Sequence, residues 1–394
     1  MVSRAITDEL IHAGKEYPIV TVLGPRQSGK TTLARMTFPD KAYFSLEDPD
    51  IRMAAEADPR GFLAQIPNGG ILDEVQRLPV LLSYIQGIVD ASRRRGLFIL
   101  TGSHQPLLQQ AISQSLAGRT AVLALWPFSL AELRHYKQNW KAFDLIVRGT
   151  FPRVHEEKLQ PRRFYNSYMQ TYVERDVRAM LQLRDLASFQ RFLVLLAGRV
   201  GQIANYASLA NDVGVSSTAI RNWLSVLKAS YVIFELPPYS ENIRKRAVKS
   251  PKIYFADVGL AAFLLGIHDE HQAARDPLRG GLYENLVISE VLKGGFNSGT
   301  RPDVFFFRDS NGNEVDLLIR ENGRLIPVEI KSAQTFSTDF VKGIERFRAL
   351  EAAPSSPGAV LYGGEQTLSI RDIKIMNPMA SGNLWDTLTS SGNP

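Results

Sequence analysis

Short apolar runs recur through the first 130 positions, and most are stopped by glycine, by charge or by a polar turn. Ile19-Val20-Thr21-Val22-Leu23 ends at Gly24, and Ala42-Tyr43-Phe44-Ser45-Leu46 ends at the acidic turn Glu47-Asp48-Pro49-Asp50. Gly70-Ile71-Leu72 runs into Asp73-Glu74, Leu97-Phe98-Ile99-Leu100 into Thr101-Gly102-Ser103-His104, and Thr120 to Leu125 closes the set. Runs of this length bounded by turn formers predict buried strands. Helical spacing at Thr32–Met36 and from Gln105 to Leu116 falls between them, so residues 1–130 read as an α/β domain.

Beyond it the period changes. Residues 131–200 read as helical, punctuated by Pro152 and Pro161, with Phe164 to Asp176 carrying aromatic and apolar positions at helical spacing. This predicts a helical lid over the first domain's ligand. Tyr206 to Asp212 predicts a short helix, Val213-Gly214-Val215 a turn, and Ser216-Ser217 the cap of a second helix running to Lys228. With strands at Tyr231–Leu236 and Lys252–Phe255 forming a hairpin, residues 201–265 are expected to be a winged helix. A charged stretch from His268 to Arg279 reads as a linker or an excursion. A helix from Gly281 to Lys293 then precedes strands at 303–307, 314–319 and 325–331, separated by Asn/Gly turns, and a further strand at Ala359–Tyr362. Residues 280–375 thus form a second α/β domain. Leu384-Trp385-Asp386 sits in a Ser/Gly/Asn-rich tail expected to be loosely held.

Gly24-Pro25-Arg26-Gln27-Ser28-Gly29-Lys30-Thr31 fits the phosphate-loop pattern, wedged between the first strand and a helix opening with Thr32. The glycines let backbone amides close on a phosphate, Lys30 reaches the β- and γ-phosphates, and the Thr31 hydroxyl suits magnesium. The helix dipole faces the same phosphates. ATP and Mg2+ are the expected ligands. Asp73 and Glu74, at a strand's C-terminal end, suit metal binding through water and general-base activation of the attacking water. Ser103, with Thr101 second, suits placement of that water. Arg119, just before the fifth strand, reads either as a finger for a neighbouring subunit's γ-phosphate or as a surface ion pair. Arg153 and Arg175 read either as lid sensors or as structural pairs.

Composition narrows the surroundings. The 394 residues are 44% hydrophobic and 22% charged, without cysteine, so disulfides, thiolate metal sites and thiol catalysis are excluded. No run approaches the ~20 apolar residues that cross a bilayer, and the start lacks a signal pattern, which fits a cytoplasmic protein with no membrane partner. A net charge of +6 favours a polyanionic partner. Its cations gather at Arg244, Lys245, Arg246 and Lys249 beside the helix carrying Arg221. These five residues are the expected DNA-backbone contacts, although winged helices also serve as protein-interaction modules and as inert spacers in ATPases.

The order of parts resembles an AAA-type core over residues 1–130. Leu116-Ala117-Gly118-Arg119, Phe151-Pro152, Tyr172-Val173-Glu174-Arg175-Asp176, Gly281-Leu282-Tyr283-Glu284-Asn285 and Glu314-Val315-Asp316 extend the likeness. Together they resemble prokaryotic AAA-type ATP-binding proteins with a C-terminal domain of unknown function. That resemblance implies an oligomeric ATPase, a homo-oligomeric ring such as a hexamer. The C-terminal pattern resembles a restriction-endonuclease-like core: Glu284 on a helix, Asp316 on one strand, and Glu329-Ile330-Lys331 on the next. Alternation puts Glu329 and Lys331 on one face. Asp316 and Glu329 are the expected metal ligands, Lys331 stabilises charge on the phosphate or helps activate water, and Glu284 completes the cluster from the helix. Such folds also persist as binding modules. The expected function is an ATPase that binds and remodels or processes DNA; the alternative is a nucleotide-gated signalling or defence switch with a nuclease-like effector.

Overall fold

The computed structural model describes residues 2–92, 94–103, 106–177, 185–239, 250–350 and 357–390. Two compact units divide the chain. The first comprises Met1–Phe128 with Ala229–Tyr231 and Phe296–Thr300; the second comprises Ser129–Lys228, Val232–Gly295 and Arg301–Pro394.

In the first unit, strands β1 (Ile19–Gly24), β2 (Ala42–Ser45), β3 (Gly70–Asp73), β4 (Phe98–Ser103) and β5 (Thr120–Ala124) form one parallel sheet in the order β2-β3-β4-β1-β5. Both faces are covered. Leu23, Leu72, Phe98 and Leu100 pack into one apolar cluster, while Val20, Val22, Ile71 and Ile99 pack into another. Adjacent residues therefore serve opposite cores, which is why these strands read as unbroken apolar runs. Helix α1 (Thr7–Glu16) covers the second face with Leu10, and helix α2 (Lys30–Thr37) adds Leu33 and Ala34. Two helices have proline starts and aspartate caps: α3 (Pro49–Ala57) behind Asp48 and α4 (Pro59–Ala64) behind Asp58. Helices α5 (Leu81–Ser92) and α6 (Pro106–Ser115) lead into and out of β4. Because β4 inserts between β1 and β3, the chain leaves β1 to one side and returns to β5 on the other. The end of β1 is thus a switch point, where such sheets bind ligands.

The second unit begins helically. Ser129 caps α7 (Leu130–Leu133) in a reciprocal capping box with Glu132, and α8 (Ala142–Arg148), α9 (Pro152–Glu156) and α10 (Pro161–Tyr168) follow. The last passes directly into a π-helical stretch, Met169–Val177. A buried polar chain ties this region together. Glu290 accepts the Leu130 amide and the Lys293 ammonium, each at 2.7 Å; Lys293 reaches the Thr150 hydroxyl at 3.0 Å; Thr150 in turn donates to Asp257.

Helices α11 (Leu186–Ala197), α12 (Tyr206–Val213) and α13 (Ser217–Ala229) follow, and Trp223 of α13 packs on α11, its ring 5.4 Å from Phe189 and 5.2 Å from Phe192. Gly214 ends α12 at φ 83°, a left-handed conformation that frees the chain to turn. Strands β6 (Ile233–Leu236) and β7 (Lys252–Phe255) pair antiparallel. Helix α14 (Val258–Leu264) follows β7, and the charged stretch expected to be a linker or an excursion contains α15 (Glu270–Arg275). Asp269 caps α15, and Ala273 is buried.

Helix α16 (Arg279–Asn297) is longer than its sequence pattern suggested and largely buried. A six-stranded mixed sheet completes the unit, with β8 (Val304–Arg308), β9 (Glu314–Glu321), β10 (Arg324–Lys331), β11 (Ala359–Tyr362), β12 (Leu368–Ile370) and β13 (Ile373–Met376) ordered β12-β13-β11-β10-β9-β8. Helix α17 (Lys342–Leu350) packs Ile344 and Phe347 onto it. The tail differs from expectation: α18 (Leu384–Thr389) buries Leu384, Trp385 and Leu388 behind the cap Asn383. Among the described residues no helix is long and apolar enough to cross a membrane.

Candidate functional site

The phosphate loop lies where β1 ends and α2 begins. Gly24 is required by a close approach, since a Cβ there would sit 2.1 Å from the Leu125 carbonyl oxygen. The collision is with the chain leaving β5 rather than with a ligand, a contact that only the pairing of β1 with β5 reveals. Gly29 has φ 92°, the left-handed region that favours glycine. The buried Arg4 guanidinium braces the loop, donating to the carbonyls of Ser28 and Trp126 at 2.7 Å each. Inside it, Lys30 donates to the carbonyls of Gly24 at 3.2 Å and Pro25 at 2.8 Å. Burial lowers its pKa to about 8, partly offset by the Glu74 and Asp73 carboxylates. The Oε1 of Gln27 and Oγ of Ser28 are buried without a hydrogen-bond partner. Pro25, Arg26 and Thr32 complete the loop and the first turn of α2.

Asp73 is the hub of the site. Its Oδ2 accepts the Thr31 hydroxyl at 2.9 Å and the Tyr43 hydroxyl at 2.8 Å, and its Oδ1 accepts Thr101 Oγ1. Strand pairing sets this up: β2 and β4 flank β3, so residues from three strand ends and the loop meet at one carboxylate. Burial together with Asp73 pushes the Tyr43 phenol up to about 12. Glu74, at φ 56° and ψ 44°, turns the chain sharply out of β3. A non-glycine residue in that region is uncommon and marks a constrained site. Its carboxylate accepts the Gln76 amide. Ser103, at the end of β4, has a buried Oγ without a partner, whereas Thr101 is committed to Asp73. Tyr43 and Gln76 escaped sequence reasoning because their contacts depend on strand order and on the turn at Glu74.

These side chains fit a magnesium–nucleotide pair. The buried Lys30 ammonium and the unpartnered Ser28 hydroxyl can donate to phosphate oxygens, and the Thr31–Asp73 contact at the helix start supplies oxygens of the kind an octahedral cation uses.

Arg119 lies elsewhere. Its backbone pairs with Ile19 at the N-terminal edge of the sheet, opposite the edge carrying the loop. Its guanidinium grips Asp90 with contacts of 2.5 and 2.9 Å, partly exposed. Arg153 pairs with Glu157 on the surface, and the Arg175 side chain lies outside the described residues. Arg221 is exposed and stacks 4.5 Å from the Tyr206 ring centroid. Arg244, Lys245, Arg246 and Lys249 lie outside the described residues.

In the second unit, Glu284, Asp316, Glu329 and Lys331 come together as their spacing suggested. Lys331 Nζ lies 2.9 Å from Asp316 Oδ2 and 2.5 Å from Glu329 Oε2. Burial, then the Asp316 charge, pushes the Glu329 carboxyl up to about 9, and the same two causes push Glu284 up to about 7. Asp316 is held below the usual carboxylate range because the charges of Lys331 and Lys252 outweigh its burial. Lys252, Tyr254 and Glu314 join the cluster, and no sequence spacing announced them. Among the described residues, no three His, Cys, Asp or Glu side chains come together as a set able to hold a metal ion.

Three family patterns match the chain: "AAA domain" over residues 16–134, "Domain of unknown function (DUF8612)" over 139–271, and "Domain of unknown function (DUF4143)" over 279–381. An uncharacterized protein of Mycobacterium tuberculosis is 30% identical over 371 residues, which cover 92% of this chain and 80% of that one. A protein of Mycobacterium bovis matches to the same extent. An uncharacterized protein of Haemophilus influenzae is 22% identical over 247 residues, 59% of this chain and 58% of its own. Among solved structures, a Walker-type ATPase of Pyrococcus abyssi aligns with a TM-score of 0.42 at 14% identity, covering 66% of this chain and 94% of that one.

Proposed function

The chain belongs to the family of these mycobacterial proteins and is an AAA-type ATPase, and we propose that its ATP cycle drives the binding and remodelling of DNA. The convergence of Lys30, Thr31 and Thr101 on the loop and on Asp73 carries the ATPase half. ATP is the substrate, and Thr31 and Asp73 would hold Mg2+, which neutralises charge developing on the phosphates. Lys30 neutralises the same oxygens from the loop. Glu74 takes the proton of the attacking water on its carboxylate once Gln76 releases it, and the open Ser103 hydroxyl orients that water.

Arg119 supports assembly. A finger on the far edge of the sheet serves a neighbour's nucleotide and not its own, which argues for a homo-oligomeric ring. In a single chain, Asp90 occupies Arg119 and Gln76 occupies Glu74. Those two contacts favour an ATPase that rests until assembled, and they leave room for the signalling-switch reading.

The DNA half rests on the second unit. Helices α12 and α13 with the β6–β7 hairpin support a winged-helix reading, and α13 exposes Thr218, Arg221, Asn222 and Ser225 on one side. The C-terminal sheet, with its helix carboxylate and Glu-x-Lys strand, supports a restriction-endonuclease-like reading in which the domain holds duplex or branched DNA. Binding through backbone phosphates should give a log–log salt slope near −0.9 for each phosphate neutralised. Replacing Arg221, Arg244, Lys245, Arg246 and Lys249 together should weaken binding and flatten that slope. Unchanged affinity and slope would remove DNA from the account.

A further inference from the structure

A restriction-endonuclease-like nuclease needs a divalent cation at the C-terminal acid cluster, and the side chains there do not fit one. Lys252 begins β7, in the chain before that domain, and is 3% exposed. Its Nζ lies 3.0 Å from Glu284 Oε1 and 2.6 Å from Glu314 Oε1. Glu284 Oε1 also accepts the Tyr254 hydroxyl at 2.5 Å. On the other side of the cluster, Asp316 Oδ2 takes the Ile330 amide at 2.8 Å and Lys331 at 2.9 Å. The second oxygen of Glu329 lies against Gly343, where a Cβ would sit 2.0 Å from it.

Magnesium and manganese need oxygens free to turn toward one point in near-octahedral geometry. Here two ammonium groups already claim an oxygen on each acid, and both repel an incoming cation. Lys331 belongs to the Glu-x-Lys pattern, whereas Lys252 is an addition from outside it.

We infer that Lys252 is a built-in counter-cation that takes the place of a divalent metal, so that the C-terminal domain engages its ligand without metal-dependent cleavage. The ligand rests on the DNA reading above; the exclusion of metal does not.

The test is Mn2+ uptake by the nucleotide-free full-length protein, followed by electron paramagnetic resonance. Asp73→Asn is built into every variant, so that uptake reports on the second unit. The expected result is no uptake by this parent, uptake of one ion per chain after Lys252→Gln, and its loss when Asp316→Asn is added. Stoichiometric uptake by the parent that disappears with Asp316→Asn would overturn the inference, and so would a folded Lys252→Gln protein that takes up none. If Lys252→Gln does not fold, the parent with and without Asp316→Asn decides the matter alone. A failure of the DNA reading would leave these uptake results unchanged, so the two claims fail separately.

Discussion

Nucleotide binding at the loop should draw in a proton, because Lys30 is only partly charged without a ligand. Its ammonium is buried against the Gly24 and Pro25 carbonyls, and burial lowers its pKa from 10.5 to about 8. That net drop, burial outweighing the Glu74 and Asp73 charges, penalises the charged form by roughly 3 kcal/mol, which phosphate charge can offset on binding. At pH 8 about half of the free sites are uncharged, and near pH 9 about nine in ten. The bound form keeps the proton because the phosphates raise the lysine's pKa again. Affinity for a magnesium-bound, non-hydrolysable ATP analogue should therefore be flat below about pH 7. Above pH 8 it should fall toward tenfold per pH unit. Calorimetry at pH 9 in two buffers of different ionisation enthalpy counts the protons directly, and close to one should be taken up per site. Lys30→Met, measured at concentrations that still allow binding, should take up none. No uptake in the wild type, or equal uptake in both proteins, would refute the reasoning.

Three further outcomes follow from the same geometry. Gly24→Ala places a methyl group against the Leu125 carbonyl and should abolish binding of a fluorescent ATP analogue; retained binding would show that the loop can shift. Mixing Arg119→Ala with Lys30→Ala subunits should restore some ATPase activity through interfaces that pair an intact finger with an intact loop; mixed assemblies without activity would argue against a finger acting across subunits. Asp257 is buried and accepts the Thr150 amide at 2.6 Å, the Thr150 hydroxyl at 2.9 Å and the Tyr165 hydroxyl at 2.5 Å. Asp257→Ala strands those donors and should cost the second unit about 3–5 kcal/mol in denaturant melts, and a loss below about 1 kcal/mol would count against that network.

The parts of the site that are contiguous in sequence could be read from it. Ile19–Thr31 announces strand, loop and helix because an apolar run, a glycine pattern and a helix start follow one another without a break. Asp73 and Glu74 are legible for the same reason, as a strand's polar end. What binds Asp73 is less so. Thr101 stood second to Ser103, and Tyr43 was not singled out, because β2 and β4 flank β3 only through crossovers that leave no local mark. Lys252 was hidden by distance: its partners Glu284 and Glu314 lie far along the chain, and a lysine opening a strand usually signals an exposed edge. The tail was misread through composition. Its Ser, Gly and Asn residues suggested looseness, yet Asn383 is a cap, and Leu384, Trp385 and Leu388 bury one face of a helix too short to show a period.

The most direct test of the central claim is a comparison of ATP hydrolysis and ATP binding in the wild type, Lys30→Ala and Glu74→Gln. Binding of labelled ATP and release of phosphate are measured on the same preparations with Mg2+. Wild type should bind and turn over ATP, and Lys30→Ala should lose binding. Glu74→Gln should bind normally while turnover falls about 10²- to 10⁴-fold, because the amide cannot take the proton of the attacking water and Asp73 stays in place for the metal. Wild-type turnover in Glu74→Gln would contradict the account.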